Sequence, residues 1–475
     1  MTAIRSSHSS PSKDDLGTPV EVATTVPVVS QQYRLYRRRF VGMIGMVALN
    51  IVGGMSWPWF GPIANDTATE MGFTLDQISW LDNIQSALYL PVALLIPHLY
   101  ARLGLRRCCD IGAIFLIIAS WVRYSGTADS LSINASYALV MLGQVFASLA
   151  QPIYQVLGPK YSESWFDLKG RTTATMILAI ANPVGSALGQ LISPLVDTTK
   201  DSILVLGIIG TAATPFVFLI QSAPPTPPTF TASQQSAPLP ELLRDLVGKS
   251  ASPRMSNRAR LDFLIIALIF GTLVGATNTF SILTSQIMEP VGYSSDTSGL
   301  MGACLLLTGL VAAVITAPLF DRVFTHHLAL TAKILVPILG AAWLSLIWAA
   351  KPNNTGGLFA IMTIIGVTAL TMLPVGLELG CDLTQNAEGS SSILWFMGNL
   401  MGFIFVLVEN ALRAGPDANP PLNMHRALIF HGAFIMAVVF LSWLIQGKQV
   451  RKHLDEQSPG VPDSGIGVIE LGSPV

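Results

Sequence analysis

Apolar residues gather along the chain into twelve stretches of roughly twenty, separated by shorter polar segments. A helix that crosses a bilayer needs about 20 mostly apolar residues, because 1.5 Å of rise per residue must cover a hydrocarbon core of about 30 Å. Six such stretches fall near residues 40–64, 78–100, 108–126, 136–157, 172–195 and 202–220. Six more fall near 261–286, 299–320, 328–350, 357–380, 391–413 and 425–446. The pattern predicts an all-α polytopic membrane protein with twelve transmembrane helices in two six-helix bundles, over 40–220 and 260–446. Between them, 221–259 opens with Ala-Pro-Pro-Thr-Pro-Pro at 223–228, too dense in proline to continue a helix, and reads as a cytosolic linker. Within it, Pro238–Gly248 has the pattern of a short amphipathic helix lying on the cytosolic surface. Residues 1–39 and 447–475 read as cytosolic tails, the first a disordered one rich in Ser, Thr, Pro and Val without the apolar run of a signal peptide.

Composition agrees, with 51% hydrophobic and only 12% charged residues where a soluble domain carries roughly 25% charged. The distribution of charge says more than its total of −1. Lys and Arg number 21 in the tails and even-to-odd loops against 4 on the other side, with Arg123 and Lys333 inside spans. The positive-inside rule therefore puts both termini in the cytosol. A plasma-membrane location and a monomer are expected. No basic face for nucleic acid is present, and no glycine-rich loop with Lys for a nucleotide. No nucleophile–base constellation and no paired cysteine spacing for zinc occur either, so neither enzyme activity nor a cofactor is expected. Adjacent His326 and His327 would point about 100° apart on a helix and cannot easily share a metal. Cys108 and Cys109 beside Arg106 and Arg107 are compatible with apolar filling or with palmitoylation.

Six spans, a polar linker and six more is the layout of a duplicated transporter. Two echoes support the duplication. The loop after the second span, Arg102-Leu-Gly104-Leu-Arg106-Arg107, answers Asp321-Arg322 after the eighth. Asn182-Pro-Val-Gly185 in the fifth span answers Asn399-Leu-Met-Gly402 in the eleventh. The basic loops resemble the cytosolic Gly-x-x-x-Asp-Arg-x-Gly-Arg-Arg loop of the major facilitator superfamily, with Ala101 replacing the family's Asp in the first copy. Further stretches resemble the feline leukaemia virus subgroup C receptor (FLVCR) family within it, over about residues 40–445. They are Pro374-Val-Gly-Leu-Glu378-Leu-Gly-Cys-Asp382 continuing to Ser392, Leu142-Gly143-Gln144, Ala150-Gln151, Trp165-Phe166, Gly104-Leu105-Arg106, Trp121-Val-Arg123-Tyr124 and the proline-rich linker. The resemblance implies the major facilitator fold, alternating access and a small organic cargo such as choline, ethanolamine or haem. It also implies that Trp57 and an aromatic of the seventh helix enclose a quaternary ammonium; here Asn278 stands at the seventh-helix position.

The residues themselves name further candidates. Trp57, Trp59 and Phe60 cluster about Pro58 and Pro62, as an interfacial aromatic belt or as a broken helix lining a cavity. Gln144, Gln151 and Gln155 share one face of the fourth span, as a polar cavity wall or as interhelical glue. Asn278 and Asn399 complete the expected binding set. Glu378 and Asp382, four apart, read as a proton-coupling pair or as an inner-gate network. Asp82, Gln85 and Glu409 are read as outer-gate residues, and Arg102, Arg106, Asp321 and Arg322 as an inner latch. Asn134-Ala-Ser136 and Asn353-Asn-Thr355 are glycosylation sequons in outward loops. A gradient-driven efflux pump and a non-transporting receptor or scaffold are the alternative functions.

Overall fold

A computed structural model describes residues 33–61, 63–233, 238–250, 255–322, 328–415 and 417–446. Ten helices among the described residues are long and apolar enough to cross a membrane. The remaining long element, Leu75–Ser125, has 51 residues, far more than one crossing holds. Gly104, at φ 75° and ψ 171°, breaks it, so a residue without a Cβ penalty in the left-handed region divides it into two arms. These two arms and the ten other helices supply the twelve crossings.

In chain order the spans are α1 (Arg38–Met55), α2 (75–103), α3 (105–125), α4 (Ile133–Val156), α5 (Leu168–Ile192) and α6 (Thr199–Ala213). The second half follows with α7 (Asn257–Met288), α8 (Ser295–Arg322), α9 (Leu328–Ala349), α10 (Thr355–Thr384), α11 (Ala387–Ala411) and α12 (His425–Val439). Local chemistry sets many of the ends. Thr74 and Gln77 form a reciprocal capping box at the start of α2. Ser132 caps α4 and Asn386 caps α11. The first span is shorter than its apolar run, because Trp57-Pro58 stops α1 at Met55. Both α6 and α12 end in a tighter 3₁₀ turn, Thr214–Leu219 and Phe440–Leu444. α7 begins at Asn257, inside the stretch read as linker.

The two halves repeat one packing scheme. α1 lies on α5 as α7 lies on α11, α2 on α4 as α8 on α10, and α3 on α6 as α9 on α12. Glycine makes the first of these pairings possible. A Cβ on Gly185 of α5 would collide with the Ile51 carbonyl of α1, and one on Gly275 of α7 would stand 2.6 Å from the Gly402 nitrogen of α11. The repeated Asn-x-x-Gly thus marks equivalent close crossings. Between the halves, α2 meets α11 and α5 meets α8. Outward-facing positions are apolar, with Leu95, Ile114, Val311, Val314, Ile315, Trp348 and Trp443 all exposed, as lipid contact requires.

By the alternation of spans, one face carries the start of α1, the end of α12 and the linker; it is called the linker face below. The linker helix Leu239–Leu246 buries Leu239 and Leu242 there. Asp245 holds it, accepting from the Arg260 guanidinium at 2.7 Å and from the Met255 amide at 3.1 Å. Cys108 and Cys109 are fully buried, with the Cys109 thiol donating to Met46 Sδ at 3.6 Å, which removes both from any acylating enzyme. The tails 1–32 and 447–475 and the histidine pair at 326–327 lie outside the described residues.

Candidate functional site

A cavity of about 130 Å³ accessible to water lies between the halves. A smaller one of about 80 Å³ shares Trp57, Ser86, Asn278 and Asn399 with it and continues past Trp80 and Asn83 of α2 and Phe403 of α11. Those residues lie toward the face opposite the linker. The first half contributes a polar wall: Gln85, Ser86 and Tyr89 of α2, Gln151 and Gln155 of α4, and Asn182, Ser186 and Gln190 of α5. The second half contributes an apolar wall from α7 and α10, with Phe270 and Trp395 packed edge to face at 5.5 Å. No Asp, Glu, Lys, Arg or His lines the cavity among the described residues.

Trp57 reaches this cavity because α1 stops one turn earlier than its apolar run allows. Its neighbours do not follow it. Trp59 is fully buried and donates from its indole to Ser202 Oγ at 3.1 Å, and Phe60 sits in the same first-half core. The glutamine stripe of α4 divides likewise. Gln151 and Gln155 line the cavity, whereas Gln144 lies behind the wall, fully enclosed. Gln151 Nε2 donates to Asn182 Oδ1 at 3.3 Å, and the Asn182 amide donates in turn to Asn50 Oδ1 at 3.4 Å. Asn278 and Asn399 face the cavity from α7 and α11, and Asn399 Nδ2 donates to the Trp395 carbonyl at 3.0 Å.

Four polar atoms of the wall are buried without a partner within the protein: Gln85 Oε1, Tyr89 OH, Gln155 Oε1 and Trp395 Nε1. Leaving such a group unsatisfied costs about 1–3 kcal/mol, so four converging on one space are groups that a ligand or its water completes. Tyr89, Phe270 and Trp395 carry no signal in the sequence, where an aromatic in an apolar span is most often packing. Phe280 packs on Trp343 at 5.4 Å, away from the cavity, so it does not replace the aromatic absent at 278.

The charged candidates lie elsewhere. Glu378 and Asp382 are buried near the linker face and do not line the cavity. There Thr175 Oγ1 of α5 donates to Glu378 Oε2 of α10 at 3.1 Å. Lys160, on the short helix Gly158–Trp165, pairs with Glu163 of its own half at 2.9 Å and with Glu388 of the other at 3.5 Å. Ser392 Oγ of α11 donates to the Ala93 carbonyl of α2 at 2.5 Å. These contacts join the halves at the linker face. Arg106 does not take part. It pairs with Asp110 at 2.9 Å and donates to the Ile220 carbonyl at 2.6 Å, tying down the end of the first bundle. Arg102 is exposed, and Asp321 and Arg322 end α8 with side chains outside the described set. Glu409, read as an outer-gate residue, lies deeper than the surface. It is buried against His431 Nδ1 at 2.7 Å, inside the second bundle. Asp82 sits one turn from Gln85 on α2, its Oδ1 buried without a partner.

Twelve membrane-crossing helices among the described residues, in two equivalent halves with a cavity between them, define a multi-pass membrane transporter of small molecules. Residues 43–406 match the family model of the Major Facilitator Superfamily, and the chain belongs to that superfamily. It is 27% identical over 422 residues to solute carrier family 49 member A3 of Xenopus tropicalis, covering 86% of this chain and 85% of that one. It is 25% identical over 453 residues to the choline/ethanolamine transporter flvcr2a of Danio rerio, covering 91% and 92%. The solved structure of the human organic anion transporter MFSD10 superposes with a TM-score of 0.63 at 15% identity, over 86% of this chain and 99% of that one, a likeness of fold. The FLVCR resemblance read from the motifs therefore recurs along most of the chain, and these relatives are transporters, not enzymes.

Proposed function

We propose that the protein is a facilitative carrier of a small organic cation of the choline or ethanolamine kind. Its cavity combines aromatic faces with amide oxygens and holds no charged side chain among the described residues. A cationic ammonium, weakly hydrated when quaternary as in choline, is attracted to aromatic faces by about 0.5–2 kcal/mol each, without the salt bridge that would make its release slow. Trp57, Tyr89, Phe270 and Trp395 supply those faces, in place of the seventh-helix aromatic that Asn278 replaces. Gln85 and Gln155 present acceptors for the hydroxyl or ammonium hydrogens. The relatives named choline/ethanolamine transporters agree with this cargo. With no carboxylate in the cavity wall, movement is read as uncoupled, which favours a uniporter over a gradient-driven efflux pump.

In this reading the linker face is cytosolic, in keeping with its Lys and Arg excess, and the carrier works as a monomer in the plasma membrane. The bundles 40–220 and 260–446 rock about the cavity. The Thr175–Glu378, Lys160–Glu388 and Ser392–Ala93 contacts part when it opens to the cytosol.

Flux of labelled choline and ethanolamine into proteoliposomes tests the proposal, with and without a proton gradient. Trp57→Ala and Gln155→Ala should each weaken apparent affinity, Trp57→Ala by about five- to thirtyfold for a lost cation–π contact of 1–2 kcal/mol. Transport of lipophilic compounds alone, dependent on the gradient, would move the protein to the efflux class.

A further inference from the structure

Arg123 of α3 is buried inside the first bundle, with no carboxylate paired to it among the described residues. Its Nε donates to the Ala119 carbonyl at 3.2 Å, and its Nη1 donates to Gln144 Oε1 at 2.8 Å. A guanidinium placed in the apolar depth of a bundle without a counter-charge is costly, and calls for a role beyond packing.

The chain of hydrogen bonds leading from it has only one consistent polarity. Arginine can only donate, so Gln144 must turn its oxygen to Arg123. The Gln144 amide nitrogen then donates to the Leu81 carbonyl at 3.2 Å and to the Ser56 carbonyl at 3.4 Å, groups that can only accept. Gln85 Nε2 donates to the same Gln144 oxygen at 3.2 Å and to the Ser56 carbonyl at 3.0 Å. Both available sites fix the nitrogen of Gln85 inward. Its oxygen is left buried, unpartnered and on the cavity wall.

We infer that Arg123 is a specificity-determining residue, which through Gln144 holds the Gln85 amide with its oxygen toward the cargo and so selects solutes that donate a hydrogen bond there. The inference rests on the cation-carrier reading for its choice of cargo. It adds an orientation, because the guanidinium repels the cationic end of a cargo and directs the hydroxyl end to the Gln85 side. Arg123 itself lies behind the wall and does not touch the cargo.

The test compares matched solutes that differ only in the donor. Proteoliposomes are assayed for flux of choline and of its methyl ether, and the purified protein for binding of an uncharged pair that crosses bilayers unaided, 2-phenylethanol and its methyl ether. Wild type should prefer each alcohol that it carries or binds over its ether by about three- to tenfold, the worth of one hydrogen bond. In Arg123→Met the preference should fall, because Gln144 loses its shortest bond and only the longer bonds to the Leu81 and Ser56 carbonyls then hold the two amides. Arg123→Lys, which restores a donor to Gln144, should recover it. Gln85→Met should abolish the preference, and the double variant should show no further change. A purely structural arginine would lower both fluxes together and leave the ratio intact; that result overturns the inference. A ratio near one in wild type for every pair carried or bound overturns it as well, while the cargo reading stands. Binding of the uncharged pair with no choline flux sinks the cation reading, while the same ratio still reads Arg123.

Discussion

The buried ion pair between the halves gives a quantity that can be worked out. Lys160 Nζ stands 3.5 Å from Glu388 Oε2, with side-chain exposures of 8% and 6%. At an effective dielectric constant of 20, that separation corresponds to a Coulomb attraction of about 5 kcal/mol. Most of this is offset, since both groups give up hydration to meet, and Lys160 retains Glu163 at 2.9 Å when the halves part. The net preference for the sealed linker face should be about 1–2 kcal/mol, a factor of about 5–30 in population. Glu388→Gln removes the charge while keeping the volume, so it should raise the share of molecules open at the linker face by that factor. Spin labels at Ser130→Cys and Gly356→Cys, exposed on the opposite face of either half, report the change as a pair distance. The native Cys108, Cys109 and Cys381 are buried and Cys304 half-buried, which limits stray labelling. Opening at the linker face closes the opposite face, so a shorter distance should gain population in nanodiscs. An unchanged distribution in a folded Glu388→Gln protein would refute the argument that this pair biases the gate.

Gly185→Ala drives a methyl into the Ile51 carbonyl and should lower the detergent melting temperature, by a destabilisation of about 1–3 kcal/mol; Gly356→Ala, which meets nothing, is the control. Of the two sequons, Asn353 is exposed beside an exposed Thr355, whereas Ser136 is buried and donates to the Gly126 carbonyl at 2.5 Å. Endoglycosidase treatment of protein from a glycosylating host should therefore shift wild type and Asn134→Gln alike, and leave Asn353→Gln unmoved. Asp245→Asn weakens the charge-assisted bond to Arg260, worth about 1.5–3 kcal/mol, so limited proteolysis should cut the linker sooner than in wild type.

The number of crossings and the proline-rich linker follow from the sequence alone, because each is a property of a short stretch read against a bilayer; that α1 stops at Met55, short of its apolar run, was left open there. Apolar length and proline's missing donor act locally, whatever the neighbours are. The repeated Asn-x-x-Gly was likewise legible as a duplication, since equivalent close crossings demand equivalent small residues. The candidate site was legible only in part. Spacings of seven and four put Gln144, Gln151 and Gln155 on one face of α4, yet that face runs from the interior of its own bundle to the cavity. Whether a side chain meets Arg123 or open space depends on how α4 crosses α2 and α3. The same holds for Trp57 against Trp59 and Phe60, and for Glu409, which finds His431. Tyr89, Phe270 and Trp395 gain their place from the meeting of helices far apart in sequence. Helix existence is a local free-energy decision that the residues make themselves; the direction in which each face points is set by glycine-allowed contacts between helices, and only the assembled bundle decides it.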